Sequence, residues 1–314
     1  MAAKKELSAC HLYINNPSMR LERELKEMTG EGFNGDCSLD ALALTSIDSM
    51  HYCGTDSTDA MLRRFPPPCI DDEASPALPT LKVLDLGSGF GGCARYVGTK
   101  LPGAAVTGLE LQPELNACAA GLTARCGEDL VARVSHVCGD MLELGTGGGG
   151  GDAPDSPPLP SWGRYDVVFS KLVVLHIPFG ERPKLWRNVA RCGRAGGLLY
   201  LEDYFAAAPL EAQEARDLLQ VVGCPTLPSQ GEYVGQLEAA GFTEVEFQDA
   251  SEAWGAFVAD RAAQYAANEA RHLKVHGAAT VESMGAFYRC TAGLFAGGRL
   301  GGAIITARFP EAAR

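Results

Sequence analysis

The chain has 314 residues, 46% of them hydrophobic, and a formal net charge of −12 at pH 7. A chain of this size can bury a full core, and its acidic balance argues against nucleic acid or an anionic membrane as a partner. Its eleven cysteines form no CxxC pair and no signal peptide or membrane span is evident, so we expect a cytoplasmic protein, monomer or homodimer, that binds a small molecule.

The N-terminal residues 1–80 predict a helical cap or lid. Leu21, Leu25 and Met28 recur at the spacing of one helical face. The stretch then ends in "PPPCIDDEASPALP", which is rich in turn-forming residues and predicts a linker.

From residue 82 onward, short apolar runs alternate with amphipathic stretches, which indicates an α/β fold with a parallel sheet. The expected strands are 82–87, 105–110, 134–138, 165–170, 197–202, 243–248 and 302–309. The expected helices are 91–100, 113–125, 180–193, 209–222, 230–241, 252–275 and 280–296. The glycine- and proline-rich interval 145–160 predicts a flexible loop without a function of its own.

The stretch "KVLDLGSGFGGCARYVG" reads as a strand, a glycine turn and a helix. Asp85 comes at the end of the strand, and Gly87, Gly89 and Gly91 follow at every second position. Such a turn lets the backbone approach a ligand at a helix N-terminus, and a nucleotide-containing cofactor is the usual occupant. A purely structural turn is the alternative, because glycine spacing by itself is a weak signal.

Two more acids follow the next two expected strands. Glu110 ends the second strand, where a carboxylate can accept both hydroxyl groups of a ribose. Asp140 follows the third strand, where it would lie beside a purine ring. Each acid alone could be a solvated loop residue, but three acids at the ends of consecutive strands favour a nucleoside site.

The segments "VLDLGSGFGG", "TGLEL", "CGDM" and "GGLLYLEDY" resemble class I S-adenosylmethionine-dependent methyltransferases. The resemblance implies a Rossmann-like seven-stranded sheet with an antiparallel last strand, helices on both faces, a domain over 81–314 and a helical insertion at 252–297. It implies S-adenosylmethionine as cofactor and S-adenosylhomocysteine as product. The expected cofactor-binding residues are Asp85, Gly87, Ser88, Gly89, Gly91, Glu110, Leu111, Asp140, Met141 and Ser170.

The run "SKLVVLHIP" narrows the resemblance to small-metabolite methyltransferases, namely those for phosphoethanolamine, for sarcosine or dimethylglycine, and the algal methylthiohydroxybutyrate S-methyltransferases. The amine enzymes carry Ser-x-Asp-x-x-Leu-His here. Ser170, Leu175 and His176 match that run, whereas Leu172 replaces the aspartate. An amine acceptor must lose a proton, whereas a thioether has none to lose. We therefore expect S-methylation of a carboxylated thioether such as 4-methylthio-2-hydroxybutyrate, with N-methylation of a glycine-betaine or choline precursor as the alternative.

The expected catalytic residues are His176, Lys171, Asp203 and Tyr204, and the expected lid residues are His51 and Tyr52. In these assignments Lys171 pairs with a substrate carboxylate, and His176 is the base if the acceptor is an amine. Each of these residues also has an ordinary structural interpretation, such as a packing pair, a helix cap or a solvated lysine.

Basic residues on the two late helices complete the set of candidates. Arg271 and Arg289 could bind a carboxylate. His272 and His276 stand four residues apart, but no third ligand is evident, so we expect no metal. Two other classes of protein stay open: a NAD-dependent oxidoreductase and a cofactor-binding protein without catalysis.

Overall fold

A computed structural model describes residues 17–66, 81–144 and 165–311. The predicted loop at 145–160 lies outside the described residues. The part of the N-terminal segment that is described forms three helices, α1 (Pro17–Thr29), α2 (Ala41–Asp48) and α3 (Gly54–Leu62). Leu21 and Leu25 of α1 are buried as predicted, whereas Met28 near its end is 41% exposed.

Seven strands form one sheet, in the order β3-β2-β1-β4-β5-β7-β6. The strands are β1 (Leu81–Leu86), β2 (Ala104–Glu110), β3 (Val134–Cys138), β4 (Tyr165–Lys171), β5 (Gly193–Ala206), β6 (Thr243–Asp249) and β7 (Leu300–Arg308). Strand β7 runs antiparallel to both β5 and β6, and the other pairings are parallel. The predicted seven-stranded Rossmann-like sheet with an antiparallel last strand is confirmed.

Helices cover both faces of the central strands, because those strands are apolar on both faces. Val83 of β1 packs in a cluster with Val97 of the following helix, whereas its neighbour Leu84 packs with Trp186 on the opposite face. The helices that follow the strands are α4 (Gly92–Lys100), α5 (Pro113–Ala124), α6 (Glu128–Val131), α7 (Arg182–Cys192), α8 (Ala212–Asp217) and α9 (Gln230–Ala239).

Between β6 and β7 lie three helices, α10 (Ser251–Ala267), α11 (Glu269–His276) and α12 (Ala278–Ala296). The sequence pattern predicted one helix over 252–275, but the chain breaks at Asn268, whose φ of −101° and ψ of 17° leave the helical range. Asparagine is a weak helix former because its side chain competes for backbone hydrogen bonds, and here its Nδ2 donates to the Gln264 carbonyl.

A buried ion pair joins the N-terminal helices to the sheet domain. Arg95 of α4 lies 2.6 Å from Asp48 at the end of α2, and neither side chain is exposed. Breaking such a pair leaves an uncompensated buried charge, so it fixes α2 beside the glycine turn. None of the helices in the described ranges is long and apolar enough to cross a membrane.

Candidate active site

A cavity of about 850 Å³ lies where the glycine turn follows β1. Residues that follow β2, β3 and β4 form its floor, as expected for a ligand site at the carboxyl ends of parallel strands. Residues of α1, α2, α10, α11 and α12 form its other walls. The N-terminal helices and the insertion therefore enclose one continuous space above the sheet.

Two glycines of the turn line this cavity in a conformation that other residues adopt rarely. Gly87 has a φ of 76° and Gly89 a φ of 54°. A Cβ on Gly87 would lie 2.4 Å from Val173, and a Cβ on Gly89 would have Met50 as its nearest neighbour at 3.6 Å. The turn therefore presents bare backbone to the cavity at Gly89.

Gly91 has a different role from the one predicted. It also has a positive φ, 75°, but it does not line the cavity. A Cβ there would lie 2.5 Å from the ring of His136. The structure therefore does not support a cofactor contact for Gly91, and this glycine instead allows α4 to begin against His136.

Asp85 and Glu110 both line the cavity and are almost fully buried. Burial raises the pKa of Asp85 to about 8, and its Oδ2 has no hydrogen-bond partner in the described structure. Glu110 accepts hydrogen bonds from the backbone N–H groups of Gly89 and Gln112, both at 2.9 Å, and burial raises its pKa. The second acid therefore fixes the glycine turn as well as facing the ligand space.

The remaining predicted cofactor residues divide into two groups. Ser88, Leu111, Asp140 and Met141 line the cavity, and Asp140 accepts a hydrogen bond from the Leu142 N–H at 2.8 Å. Ser170 does not line the cavity. Its hydroxyl donates to the Leu86 carbonyl at 2.9 Å inside the sheet, so the structure does not support the predicted cofactor contact.

This end of the cavity fits an S-adenosyl nucleoside. Gly89 leaves space that a Cβ would fill, Asp85 has an orphaned carboxylate oxygen, and Glu110 and Asp140 follow neighbouring strands. The apolar residues Phe90, Leu115 and Met141 complete the lining around these acids. The first two were missed from the sequence because apolar residues carry no signal that separates a lining from a core.

Lys171 at the end of β4 lines the cavity, but its charge is already compensated. Its Nζ lies 3.0 Å from Glu202 and donates to the Ser57 hydroxyl at 2.6 Å. The side chains of Lys171 and Glu202 are 3% and 2% exposed. The prediction that Lys171 pairs with a substrate carboxylate is therefore not supported, because Glu202 takes that place.

His176 lines the cavity, and its Nδ1 lies 3.0 Å from the Gly223 carbonyl. Burial lowers its pKa to about 4. The ring is therefore neutral near pH 7, and with Nδ1–H donating to Gly223 its Nε2 carries a lone pair. A base with so low a pKa takes a proton from an ammonium group poorly.

Asp203 and Tyr204 were both predicted to face the acceptor, but successive strand residues point to opposite faces. Tyr204 lines the cavity. Asp203 does not: it accepts hydrogen bonds from Tyr233 Oη at 2.9 Å and from the Leu175 N–H at 3.1 Å. Burial raises its pKa to about 6. The structure therefore does not support a catalytic role for Asp203, and this carboxylate instead holds the segment that carries His176.

The predicted lid residues His51 and Tyr52 follow α2, and both line the cavity. The Tyr52 hydroxyl is hydrogen-bonded to the Tyr204 hydroxyl. The Tyr52 ring packs edge-on against Trp254 at 5.3 Å. Burial lowers the pKa of His51 to about 4. Tyr52 therefore joins the N-terminal helices to the insertion across the acceptor end of the cavity.

The late helices give the acceptor end its aromatic lining, formed by Phe257, Tyr265, Phe287 and Tyr288. Arg271 lines the cavity, but it makes two bonds to Glu24, at 2.6 and 3.0 Å. Arg289, the other candidate for a carboxylate, is exposed and does not line the cavity, so the structure does not support it. Arg261, which was not singled out, does line it, 5.7 Å from the Phe257 ring centre.

The family description "Methyltransferase domain" matches residues 84–199 of this chain. A glycine/sarcosine/dimethylglycine N-methyltransferase of Actinopolyspora halophila is 29% identical over 174 residues, which is 55% of this chain and 27% of that protein. A sarcosine/dimethylglycine N-methyltransferase of Halorhodospira halochloris is 27% identical over 171 residues, 54% of each chain. This chain thus spans about a quarter of the length of the first of these curated relatives and about half of the length of the second.

Among solved structures, phosphoethanolamine N-methyltransferase 2 of Haemonchus contortus superimposes with a TM-score of 0.69 at 18% identity, over 92% of this chain and 60% of that one. At that identity the likeness supports the fold alone. That structure holds phosphomonomethylethanolamine and S-adenosylhomocysteine. Residues 84–199 therefore match a methyltransferase-domain family, and the glycine-lined cavity lies at the carboxyl ends of the strands in that matched segment.

Proposed function

We propose that this chain transfers a methyl group from S-adenosylmethionine to a small metabolite. The observation that carries the proposal is that the glycine turn with Asp85 and Glu110 opens into the same cavity as the aromatic acceptor end. Bound at the glycine turn, S-adenosylmethionine would supply an electrophilic methyl group on its sulfonium sulfur. The walls formed by α1, α2 and α10–α12 would hold the acceptor close and keep water away.

The acceptor that we favour is a carboxylated thioether such as 4-methylthio-2-hydroxybutyrate. A thioether sulfur attacks through a lone pair and releases no proton, so it needs alignment and no base. Two features support this reaction: Leu172 lines the cavity where the related run has an acid, and the low pKa of His176 makes it a poor base. Arg261, rather than the neutralised Lys171, is the residue that we propose for the acceptor's carboxylate.

N-methylation of sarcosine, dimethylglycine or phosphoethanolamine is the second candidate. Both curated relatives are N-methyltransferases by name. The rings of Tyr52, Phe257 and Tyr288 line the cavity, and aromatic faces attract ammonium as well as sulfonium groups. Substrate deprotonation would then have to occur in solution before binding, or through His176.

The experiment is product detection by mass spectrometry after incubation with S-adenosylmethionine and a panel of acceptors. The panel contains 4-methylthio-2-hydroxybutyrate, methionine, glycine, sarcosine, dimethylglycine and phosphoethanolamine. A methylated sulfonium product supports the first proposal, and a methylated amine supports the second. Binding of S-adenosylhomocysteine without any methylated product would contradict both and favour a non-catalytic protein.

Position 172 allows a sharper version of this test. Leu172 has a φ of 55°, a conformation that asparagine and aspartate tolerate better than leucine does. Leu172→Asp should raise the ratio of amine to thioether turnover, whereas Leu172→Asn provides the matched control for shape without charge. An unchanged ratio in both variants would remove this position from acceptor selection.

A further inference from the structure

Three side chains from two distant parts of the sequence meet at the wall of the cavity. Glu24 comes from α1, and His272 and His276 come from α11. One ligand atom from each lies within 4.8 Å of the others, and this is the one such group of at least three His, Cys, Asp or Glu residues among the described residues. The histidines lie four apart on one helix, as the sequence indicated, and α1 supplies the third residue that the sequence argument lacked.

We propose that Glu24, His272 and His276 bind a divalent transition-metal cation of the Zn²⁺ type. Two imidazole nitrogens and one carboxylate are a common ligand set for Zn²⁺. With bonds of about 2.0–2.2 Å, tetrahedral ligands stand roughly 3.3 Å apart. His276 Nε2 already lies 2.7 Å from Glu24 Oε1, so the cation would replace the hydrogen between these two atoms. His272 then has to approach by a small rotation.

Each of the two histidines has a ring nitrogen that is available to a cation. The Nδ1 atoms of both rings are buried without a hydrogen-bond partner in the described structure, and the His276 side chain is only 7% exposed. His276 would bind the cation through Nε2, and ligation through Nδ1 of His272 would give that atom the partner it lacks.

Arg271 would act as the outer partner of the carboxylate. Its Nη2 lies 2.6 Å from Glu24 Oε2 and its Nη1 lies 3.0 Å from Oε1, the oxygen that also contacts His276. Hydrogen bonds of this kind orient a ligating carboxylate. The single carboxylate of Glu24 would have to compensate both the guanidinium of Arg271 and the cation. We therefore expect a lower metal affinity than at a site with two acidic ligands.

The cluster lies between two segments of the chain, and this position indicates the role of a bound ion. Glu24 belongs to the N-terminal helices and the histidines to the insertion, so one ion would join the two segments that enclose the cavity. All three residues also line the cavity. Three protein ligands would therefore leave at least one coordination position that water or a ligand oxygen can fill from inside.

The test uses the full chain, stripped with a chelator and titrated with Co²⁺ alone. Cobalt replaces Zn²⁺ and reports its ligands by visible absorption. We expect one equivalent to bind with an imidazole–carboxylate spectrum and to raise the melting temperature. His272→Gln and Glu24→Gln should weaken binding at least tenfold. Lys274→Gln, an exposed change on the same helix, should leave it unchanged.

His272→Gln is the decisive variant, because no hydrogen bond of its ring to another residue is described and circular dichroism can check its fold. Binding that is equally tight in His272→Gln, a thiolate-to-cobalt band from cysteine ligands, or no binding at all would overturn the proposal. Glu24, Arg271 and His276 would then only form ion pairs that hold α1 against α11. Because the readout is metal binding, the proposal can fail or stand whether or not methyl transfer is confirmed.

Discussion

Lys171, the last residue of β4, and Glu202, its register partner in β5, form an ion pair of 3.0 Å, with both side chains almost completely buried. The Ser57 hydroxyl bridges them, since it accepts from Lys171 Nζ and lies 2.7 Å from Glu202 Oε1. Tyr200 Oη also donates to this carboxylate, at 2.9 Å. The network joins α3 of the N-terminal helices to the sheet, directly behind the acceptor end of the cavity.

Removing one partner of this pair should therefore lower stability strongly. Glu202→Gln leaves the Lys171 ammonium buried without a compensating charge, and we expect the free energy of unfolding to fall by about 3–5 kcal/mol. Urea unfolding of Glu202→Gln, of Lys171→Met and of the double variant Lys171→Met/Glu202→Gln measures this. The double variant should lose less than the single one. If it loses the sum of both single changes, the two side chains do not interact.

Glu110 should control cofactor affinity. Glu110→Gln keeps the shape of the side chain but removes the charge that accepts hydrogen bonds from Gly89 and Gln112. A hydrogen bond to a charged group contributes about 1.5–3 kcal/mol, so affinity for S-adenosylhomocysteine should fall by roughly 10- to 100-fold. Calorimetric titration measures this, with the exposed Glu128→Gln as control. Unchanged affinity would remove Glu110 from the site.

The sequence predicts those parts of the fold that depend on local patterns of a few residues. The seven strands and the turn at Gly87 and Gly89 follow from apolar runs and from glycine spacing, which act over a few residues. The break at Asn268 was missed because one weak helix former does not interrupt a long amphipathic pattern.

The candidate site was predictable where residues follow strand ends, as for Glu110 and Asp140. It was not predictable where a residue's place in the cavity depends on the direction of its side chain or on a partner distant in the sequence. Ser170 points to the Leu86 carbonyl inside the sheet, and Asp203 points away from the face on which Tyr204 lies. No pattern in the sequence indicates which of two neighbouring strand residues faces a cavity.

His176 should act by positioning and not by taking a proton. Its pKa of about 4 lies below the range in which a histidine normally titrates, between about pH 5 and pH 8. If His176 were the base, the pH–rate profile would contain an ionisation in that range, and His176→Asn would remove it. We expect no such ionisation. General bases contribute about 10²–10⁴-fold, so His176→Asn should lower kcat by less than about tenfold. A larger loss, together with the disappearance of such an ionisation, would establish His176 as the base.

Asp85 should stabilise cofactor binding at the expense of folding stability. Its folded pKa is about 8, whereas the ordinary value is 3.8, so the native state holds a proton that the unfolded chain has released between these pH values. Stability from this group therefore falls as pH rises from about 4 to about 8. Above that range the folded protein contains a buried carboxylate whose Oδ2 has no described partner.

Asp85→Asn removes this ionisation. The variant should differ little from the wild type near pH 4, and near pH 9 its free energy of unfolding should be higher by roughly 1–3 kcal/mol, the usual penalty of an unsatisfied buried group. Urea unfolding of the cofactor-free protein at both pH values measures the difference, with the exposed Asp129→Asn as control. The same variant should bind S-adenosylhomocysteine more weakly. A stability difference that is equal at both pH values would mean that Asp85 is already ionised in the native state at low pH.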